Sequence, residues 1–252
     1  VVFTAKPPTM IPRVKGLTMS DSQSSWGLNR RTLLQGALTT AAIAAAMPRA
    51  MRAMPNAISP STALQRLMDG NGRYMRNQMD LKDFSAGRAA RAEAQYPIAG
   101  ILGCADSRVA AEFIFDQDPG ELFVCRVAGN YMNVDILASL EYGVAVLGTP
   151  LIMVLGHTNC GAVKAVLQYE KDRKPLPGHL QMLLDAVSPG VTEAIRQGPA
   201  DLLDHAIEAN VRYNAQRLRQ AHPVIAKAVE EKRVDVVSAV YELATGQVRL
   251  LK

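Results

Sequence analysis

The chain has 252 residues, 48% of them apolar, and a formal net charge of +5, which suits one large α/β domain or two small ones. The positive charge lies in residues 1–53, which hold seven Lys or Arg and one acid, whereas the remainder holds 21 cations and 22 acids. Because the body of the chain has no cationic excess, its composition argues against nucleic acid as a partner.

The N-terminal segment has the pattern of an export signal. A twin arginine, Arg30–Arg31, precedes the apolar run "GALTTAAIAAAM" at 36–47, which is too short to span a bilayer as a helix. We predict that residues 1–53 are a disordered leader and a twin-arginine signal peptide, that the protein is periplasmic, and that it has no stable membrane anchor. The alternative is a disordered basic tail with a helical patch. Residues 54–252 are then the folded domain.

Apolar strands alternate with helices through the body of the chain. Residues 59–79 read as an amphipathic helix, capped at Ser61 or Thr62 and broken near Gly70–Gly72. Strands are predicted at 97–104, 122–129 and 150–157, and a final hairpin at 234–243 and 247–251. Helices are predicted at 84–97 (short, with loop), 111–121 (running into a turn), 133–148, 160–170, 180–187, 200–220 and 223–231.

This alternation predicts an α/β fold with a mostly parallel central sheet flanked by helices and an N-terminal helical arm. Continuous apolar strands are typical of a sheet that is covered on both faces. In such sheets the functional residues collect at the carboxyl ends of the strands. Motifs that directly follow predicted strands are therefore the candidates for chemistry.

Two short motifs occupy such positions. "CADSR" follows the first strand and contains Cys104, Asp106 and Arg108, and "HTNC" follows the third and contains His157 and Cys160. Two thiols and one imidazole are the ligands of a catalytic zinc site, with a fourth position for water or substrate. Residues of either motif alone more often have a structural role. The two motifs together, in this order on the ends of parallel strands, are a much more specific indication of a metal site. Cys160 begins a helix, which favours its thiolate form.

The remaining cysteine and histidines are assigned no metal role. Three cysteines are too few for a disulfide framework in a chain of this length. Cys125 has apolar neighbours and is predicted to pack in the core. His179, His205 and His222 lack metal-ligand spacing, so a structural role is expected for each, with proton transfer at the surface as the alternative.

The chain resembles the β-class carbonic anhydrases, which carry C-x-D-x-R followed by H-x-x-C. The resemblance extends from "LQRLMDGNGRY" to the C-terminus and includes "PGELFVCRVAGN" (119–130), "EANVRYNAQRL" (208–218) and "SAVYELATGQV" (238–248). One departure is Val127, which stands where many members have Asn.

The resemblance implies a function and a role for each motif residue. One Zn²⁺ per chain would be held by Cys104, His157 and Cys160, and an Asp106–Arg108 dyad would gate the fourth zinc position. Zinc-bound hydroxide would attack carbon dioxide, so the enzyme would reversibly form bicarbonate and a proton. Members of the family assemble with the site at a subunit interface, which implies a homodimer or homotetramer.

Three other functions stay open at this point. A hydrolase of carbon disulfide or carbonyl sulfide would use the same zinc and dyad with a different access channel. A non-catalytic zinc- or anion-binding protein would keep the ligands, but the intact dyad argues against it. A thiol-redox protein is weaker still, because the cysteines lack C-x-x-C spacing.

Overall fold

The protein is described here by a computed structural model, which covers residues 58–198 and 200–252. The predictions for the leader, including Arg30–Arg31, lie outside these residues. The elements in chain order are α1 (Pro60–Met75), α2 (Arg88–Glu93), β1 (Ala99–Gly103), α3 (Ala111–Ile114), β2 (Leu122–Arg126), α4 (Val134–Ala145), β3 (Leu151–His157), α5 (Gly161–Asp172), α6 (Leu180–Gln197), α7 (Leu202–Arg219), α8 (Ile225–Glu230), β4 (Asp235–Tyr241) and β5 (Val248–Leu251).

The strands form one sheet in the order β2-β1-β3-β4-β5. The first four strands of this order are mutually parallel, and β5 is antiparallel to β4 at the edge. The predicted α/β class, parallel sheet and C-terminal hairpin are therefore confirmed. Helices cover both faces of the sheet.

Strand β3 shows why the strands are apolar along their whole length. All seven of its residues are buried. Ile152 and Val154 pack in the core that contains residues of α5, α6 and α7, whereas Met153 and Leu155 pack in the core that contains residues of α1 and α3. Because successive side chains point to opposite faces, a strand between two helical layers needs an apolar residue at every position.

Helix α1 is continuous where the sequence predicts a break, so that prediction is wrong. A Cβ atom at Gly70 would lie 1.8 Å from the carbonyl oxygen of Phe115, so glycine is required for the helix to approach α3. The neighbouring Asn71 is buried, donates to the carbonyls of Ile114 and Gly246, and accepts from Val248 N–H. These tertiary contacts outweigh the low helix propensity of glycine. The N-cap is Ser59 rather than Ser61 or Thr62.

Over 111–121, where a helix running into a turn is predicted, the helix ends at Ile114. The helix predicted at 180–187 continues to Gln197 through Pro189, so its predicted end is wrong. Ser-Pro-Gly at 188–190 is typical of a turn, but a Cβ at Gly190 would lie 2.8 Å from the Cα of Asn210. The glycine serves the close packing of α6 on α7. In the described part of the chain, no helix is long and apolar enough to cross a membrane.

The segment after α1 is attached to the body of the protein by a buried carboxylate. The side chain of Asp116 is inaccessible to solvent. It accepts from Arg73 Nε at 2.6 Å and from Asp80 N–H at 3.1 Å, and Lys82 Nζ lies 3.0 Å from its other oxygen. Burial alone would raise the pKa of Asp116, but these hydrogen bonds and charges outweigh burial and lower the pKa.

We expect Asp116→Asn to destabilise the protein by about 2 kcal/mol at pH 7, because the charged hydrogen bonds are lost. A carboxyl whose pKa is lowered by folding stabilises the protein above its ordinary pKa of about 3.9, and this contribution disappears as pH falls through the lower folded-state value. Urea unfolding at a series of pH values should therefore show the two proteins converging below about pH 4.

The matched control is Glu193→Gln, which removes the solvent-exposed ion pair between Glu193 and Arg196. It should change stability too little to measure, because solvent screens such pairs. An Asp116→Asn protein as stable as wild type at pH 7 would show that this carboxylate does not anchor the segment.

Candidate metal centre

Two strand ends and one tight turn bring the predicted ligands together. Gly103, the last residue of β1, is the register partner of Leu155 in β3, so Cys104 follows β1 beside the end of β3 at His157. Asn159 has a φ of 61°, in the left-handed region that Asn tolerates better than most residues. The chain therefore turns directly after β3, and Cys160 is the N-cap of α5.

The three side chains form a compact, buried cluster. The ligand atoms of Cys104, His157 and Cys160 all lie within 4.8 Å of one another. His157 is 0% exposed, Cys160 1% and Cys104 4%. The structure therefore brings together the three residues that the sequence singled out as metal ligands.

The hydrogen bonds of His157 define which nitrogen faces the cluster. Nδ1 lies 3.0 Å from the carbonyl oxygen of Thr158, which can only accept, so Nδ1 carries the proton. Nε2 then presents a lone pair. It is buried and has no hydrogen-bond partner among the described residues. A buried acceptor without a partner is costly, and this one is directed as a metal-ligating imidazole requires.

The two thiols influence each other strongly. The hydrogen bond with Cys160 lowers the pKa of Cys104, with further contributions from His157 and the Gly129 N–H. The neighbouring Cys104 raises the pKa of Cys160 despite the lowering effect of the backbone N–H groups of Val163 and Ala162. The helix N-terminus thus acts as predicted, but it does not dominate. Without a cation, the pair favours a single thiolate.

Two residues at and just after the end of β2, Arg126 and Gly129, complete the site, and neither was predicted from the sequence to belong to it. Gly129 N–H donates to Cys104 Sγ at 3.3 Å. Arg126 donates from Nε to the carbonyl of Cys104 at 2.9 Å and from a terminal nitrogen to the carbonyl of Asp106 at 2.5 Å. Their position in the predicted sheet could have identified them. Because β2 pairs with β1 in parallel, the carboxyl end of β2 lies at the same edge of the sheet as Cys104.

Asp106 and Arg108 form a two-pronged ion pair beside the cluster. The guanidinium of Arg108 donates to the two carboxylate oxygens of Asp106 at 2.9 and 2.7 Å, and the Arg108 N–H donates at 3.0 Å. These hydrogen bonds, above all those of the side chain, hold the pKa of Asp106 well below its usual range. One Asp106 oxygen lies 3.8 Å from His157 Nε2.

The ion pair lies on the solvent side of the cluster. Side-chain exposure rises from 0% at His157 to 16% at Asp106 and 52% at Arg108. A small molecule approaching the buried ligands from solvent would therefore meet this carboxylate and guanidinium. The site combines three buried soft or borderline donors with one charged pair at its entrance.

The residues that were assigned no metal role lie apart from the metal-ligand group. Cys125 is buried on β2 opposite Leu102, and burial raises the pKa of its thiol. His205 pairs with Asp201 at the start of α7, and His179 precedes α6. The prediction of core packing for Cys125 agrees with its burial.

Comparison with known proteins identifies the family. The carbonic anhydrase family model matches residues 99–248. A carbonic anhydrase from Mycolicibacterium smegmatis is 36% identical over 198 residues, which cover 78% of this chain and 95% of that protein.

Solved structures agree with this result. The β-carbonic anhydrase CcaA is 25% identical with a TM-score of 0.58, covering 75% of this chain and 95% of that one. A structure of tetrameric β-carbonic anhydrases from Sordaria macrospora is 21% identical with a TM-score of 0.58, covering 88% and 98%. The second likeness concerns the fold alone. From the family model, the bacterial relative and the shared sheet architecture together, we conclude that this chain belongs to the carbonic anhydrase family, in its β class.

Proposed function

We propose that Asp106 and Arg108 act together as the gate of the zinc site at which this carbonic anhydrase hydrates carbon dioxide. The observation that supports the proposal most directly is the two-pronged ion pair beside the buried ligands. It directs both carboxylate oxygens to Arg108 while one of them stays 3.8 Å from His157 Nε2. The carboxylate thus lies beside the ligand cluster while both of its oxygens are engaged by Arg108.

The residues of the cluster fit zinc. Two thiols and an imidazole form the S₂N donor set of catalytic zinc sites, which keep one position for water or substrate. The unpartnered Nε2 of His157 supplies the imidazole lone pair. A divalent cation would also stabilise a second thiolate at Cys160, whose pKa Cys104 otherwise raises.

When bound, zinc would lower the pKa of a coordinated water to near 7 and so supply a nucleophile at neutral pH. Asp106, ionised because of its lowered pKa, can only accept hydrogen bonds. It would therefore accept a hydrogen bond from the reacting water group and orient that group toward carbon dioxide. Arg108 is always charged, and its planar guanidinium would keep the carboxylate in this orientation.

The Asp106–Arg108 pair argues against one alternative. A non-catalytic zinc- or anion-binding protein has no need of an ionised carboxylate beside the ligands. The hydrolase alternative rests on the same zinc and dyad, and no described residue favours it specifically. Hydration of carbon dioxide is the function that the family and the site support together.

The zinc assignment predicts the metal content of the protein. Full-length wild type should retain about one zinc per chain after purification, and Cys160→Ser should lose most of it because a hydroxyl is a poor substitute for a thiolate. Cys125→Ser is the matched control, a buried cysteine outside the cluster, and should keep its zinc. Metal analysis that finds no zinc in wild type, or equal zinc in Cys160→Ser, would contradict the ligand assignment.

The gate predicts the effect of losing Arg108. Arg108→Ala should free Asp106 to occupy the fourth zinc position, and stopped-flow hydration of carbon dioxide should slow at least about a hundredfold with zinc retained. Asp106→Asn should also slow hydration, but without a carboxylate that can bind the metal.

Arg173→Ala is the control for the loss of an arginine charge. It removes an exposed cation at the C-cap of α5 that pairs with Glu170, and it should leave hydration unchanged. Near-normal hydration by Arg108→Ala at neutral and alkaline pH would remove the gate from the mechanism.

We infer that the protein is a homodimer or homotetramer. The Sordaria macrospora proteins that share its fold are tetramers, which supports the inference. Exposed apolar side chains support the inference. Val134 and Tyr142 on α4 are 76% and 48% exposed, and Phe113 on α3 is 59% exposed. Contact with a second copy of the chain would remove this apolar surface from water.

We propose further that the chain is exported to the periplasm by the twin-arginine route. Arg30–Arg31 before a short apolar run supports this proposal. The route also suits a buried metal site, because transport of the folded protein would keep the metal in place and protect the Cys104 and Cys160 thiols from oxidation.

Changing Arg30 and Arg31 to Lys should leave the protein in the cytoplasm, because the twin-arginine signal requires the two guanidinium groups. The substitution keeps both positive charges, so a change in export would not come from charge alone. Changing Arg49 and Arg52 to Lys is the matched control and should not alter export. Immunoblots of periplasmic and cytoplasmic fractions measure both outcomes. Equal periplasmic amounts in wild type and in the first variant would overturn the export proposal.

A further inference from the structure

We propose that Asn210 and Asn214, two buried asparagines of α7, are positioning residues that hold the Gly129 N–H against the sulfur of Cys104. The inference rests on the assignment of Cys104 as a zinc ligand. It gives a role to the "EANVRYNAQRL" stretch, to which neither the metal ligands nor the gate belong. The asparagines act through the turn after β2 and do not contact the reacting atoms themselves.

A chain of hydrogen bonds connects the helix to the ligand. Asn210 Nδ2 donates to the carbonyl oxygen of Gly129 at 2.8 Å, and the N–H of the same glycine donates to Cys104 Sγ at 3.3 Å. Gly129 is thereby held from both sides. The two groups belong to the peptide planes on either side of the Gly129 Cα, so the bond from Asn210 restrains the plane that follows the glycine and the bond to Cys104 restrains the plane that precedes it.

Asn214 determines the orientation of the Asn210 amide. Asn214 Nδ2 donates to the backbone carbonyl of Asn210 at 2.9 Å and to its Oδ1 at 3.1 Å. Because Oδ1 of Asn210 accepts there, its NH₂ group must face Gly129. Asn214 Oδ1 accepts from Met132 N–H at 2.8 Å, so the same pair also holds the far end of the turn.

Packing confines the turn to one position. Gly129 has a φ of 83°, and a Cβ there would lie 2.8 Å from Val187 and 3.1 Å from Ala162. On the other side, Gly190 of α6 leaves room for Asn210, as its own Cβ would lie 2.8 Å from Oδ1. The turn therefore cannot shift outward and restore the N–H to sulfur contact by another route.

The burial of both asparagines indicates that their amide groups serve more than packing. Asn210 is 1% exposed and Asn214 0% in a core that is otherwise aliphatic. Buried amides are unfavourable unless they are hydrogen-bonded, so apolar residues would serve packing alone at least as well. Their spacing of four residues places both on one face of α7, the face that meets the turn.

The consequence for the metal site follows from the chemistry of the thiolate. A hydrogen bond to sulfur withdraws electron density and fixes the direction of its lone pairs. Partners of this kind typically change metal affinity or activity by 10- to 100-fold when they are removed. Losing the Gly129 contact should make Cys104 a stronger but less well oriented donor.

The test uses the full chain with Asn210→Ala and two metals. With cobalt in place of zinc, the thiolate-to-cobalt charge-transfer band should move to longer wavelength, because the sulfur has become easier to oxidise. Zinc affinity, measured by chelator competition, should fall about tenfold. Asn214→Ala should shift the band in the same direction by a smaller amount, because it only loosens Asn210.

Leu218→Ala is the control for stability. Leu218 is fully buried on the same helix and lies outside the hydrogen-bond network. It should lower the melting temperature at least as much as Asn210→Ala and leave the cobalt band and the zinc affinity at wild-type values. If Asn210→Ala behaves in the same way as Leu218→Ala, the asparagine is structural and the inference is wrong.

Wild-type protein provides a measurement that depends on no variant. In protein loaded with ¹¹³Cd and labelled with [¹⁵N]glycine, the Gly129 amide proton should show scalar coupling to cadmium through sulfur. Bound metal without that coupling would overturn the inference and leave the proposed function standing. A wild type that binds no metal would instead overturn the ligand assignment.

Discussion

The site depends on the parallel pairing of β1 with β3. Parallel neighbours end at the same edge of the sheet, so Cys104 after one strand meets His157 at the end of the other. An antiparallel arrangement would place the two motifs at opposite edges, about the length of a strand apart. Burial on both faces holds this pairing, because a shift of one residue would reverse the faces of Met153 and Val154.

Charge and burial act against each other within this arrangement. Two thiols and an imidazole lie where water is excluded, and the thiols cannot both ionise easily without a cation. The buried lone pair of His157 has no described partner. A bound zinc ion would satisfy all three groups together. The features that disfavour the metal-free cluster are therefore those that favour metal binding. The Asp106–Arg108 pair then lies where solvent reaches the site.

Residues that do not belong to the metal-ligand group hold the ligands in position. Arg126 holds the carbonyls of Cys104 and Asp106, and Asn210 holds the turn that carries the Gly129 N–H. These contacts come from β2 and from α7, so Cys104 is held at its carbonyl by Arg126 and at its sulfur by the turn that Asn210 supports. Such support matters because donors and acceptors at a catalytic centre act only within narrow geometric limits.

The sequence by itself determined the α/β class, the strand positions, and the convergence of Cys104, His157 and Cys160, because apolar runs and strand-end motifs are local patterns. Tertiary structure alone decided the rest. The continuity of α1 through Gly70 depends on a carbonyl of α3, and the role of Asn210 depends on a turn distant in the chain. Local propensity cannot predict such features, because the free energy that decides them comes from contacts made only after the helices have packed.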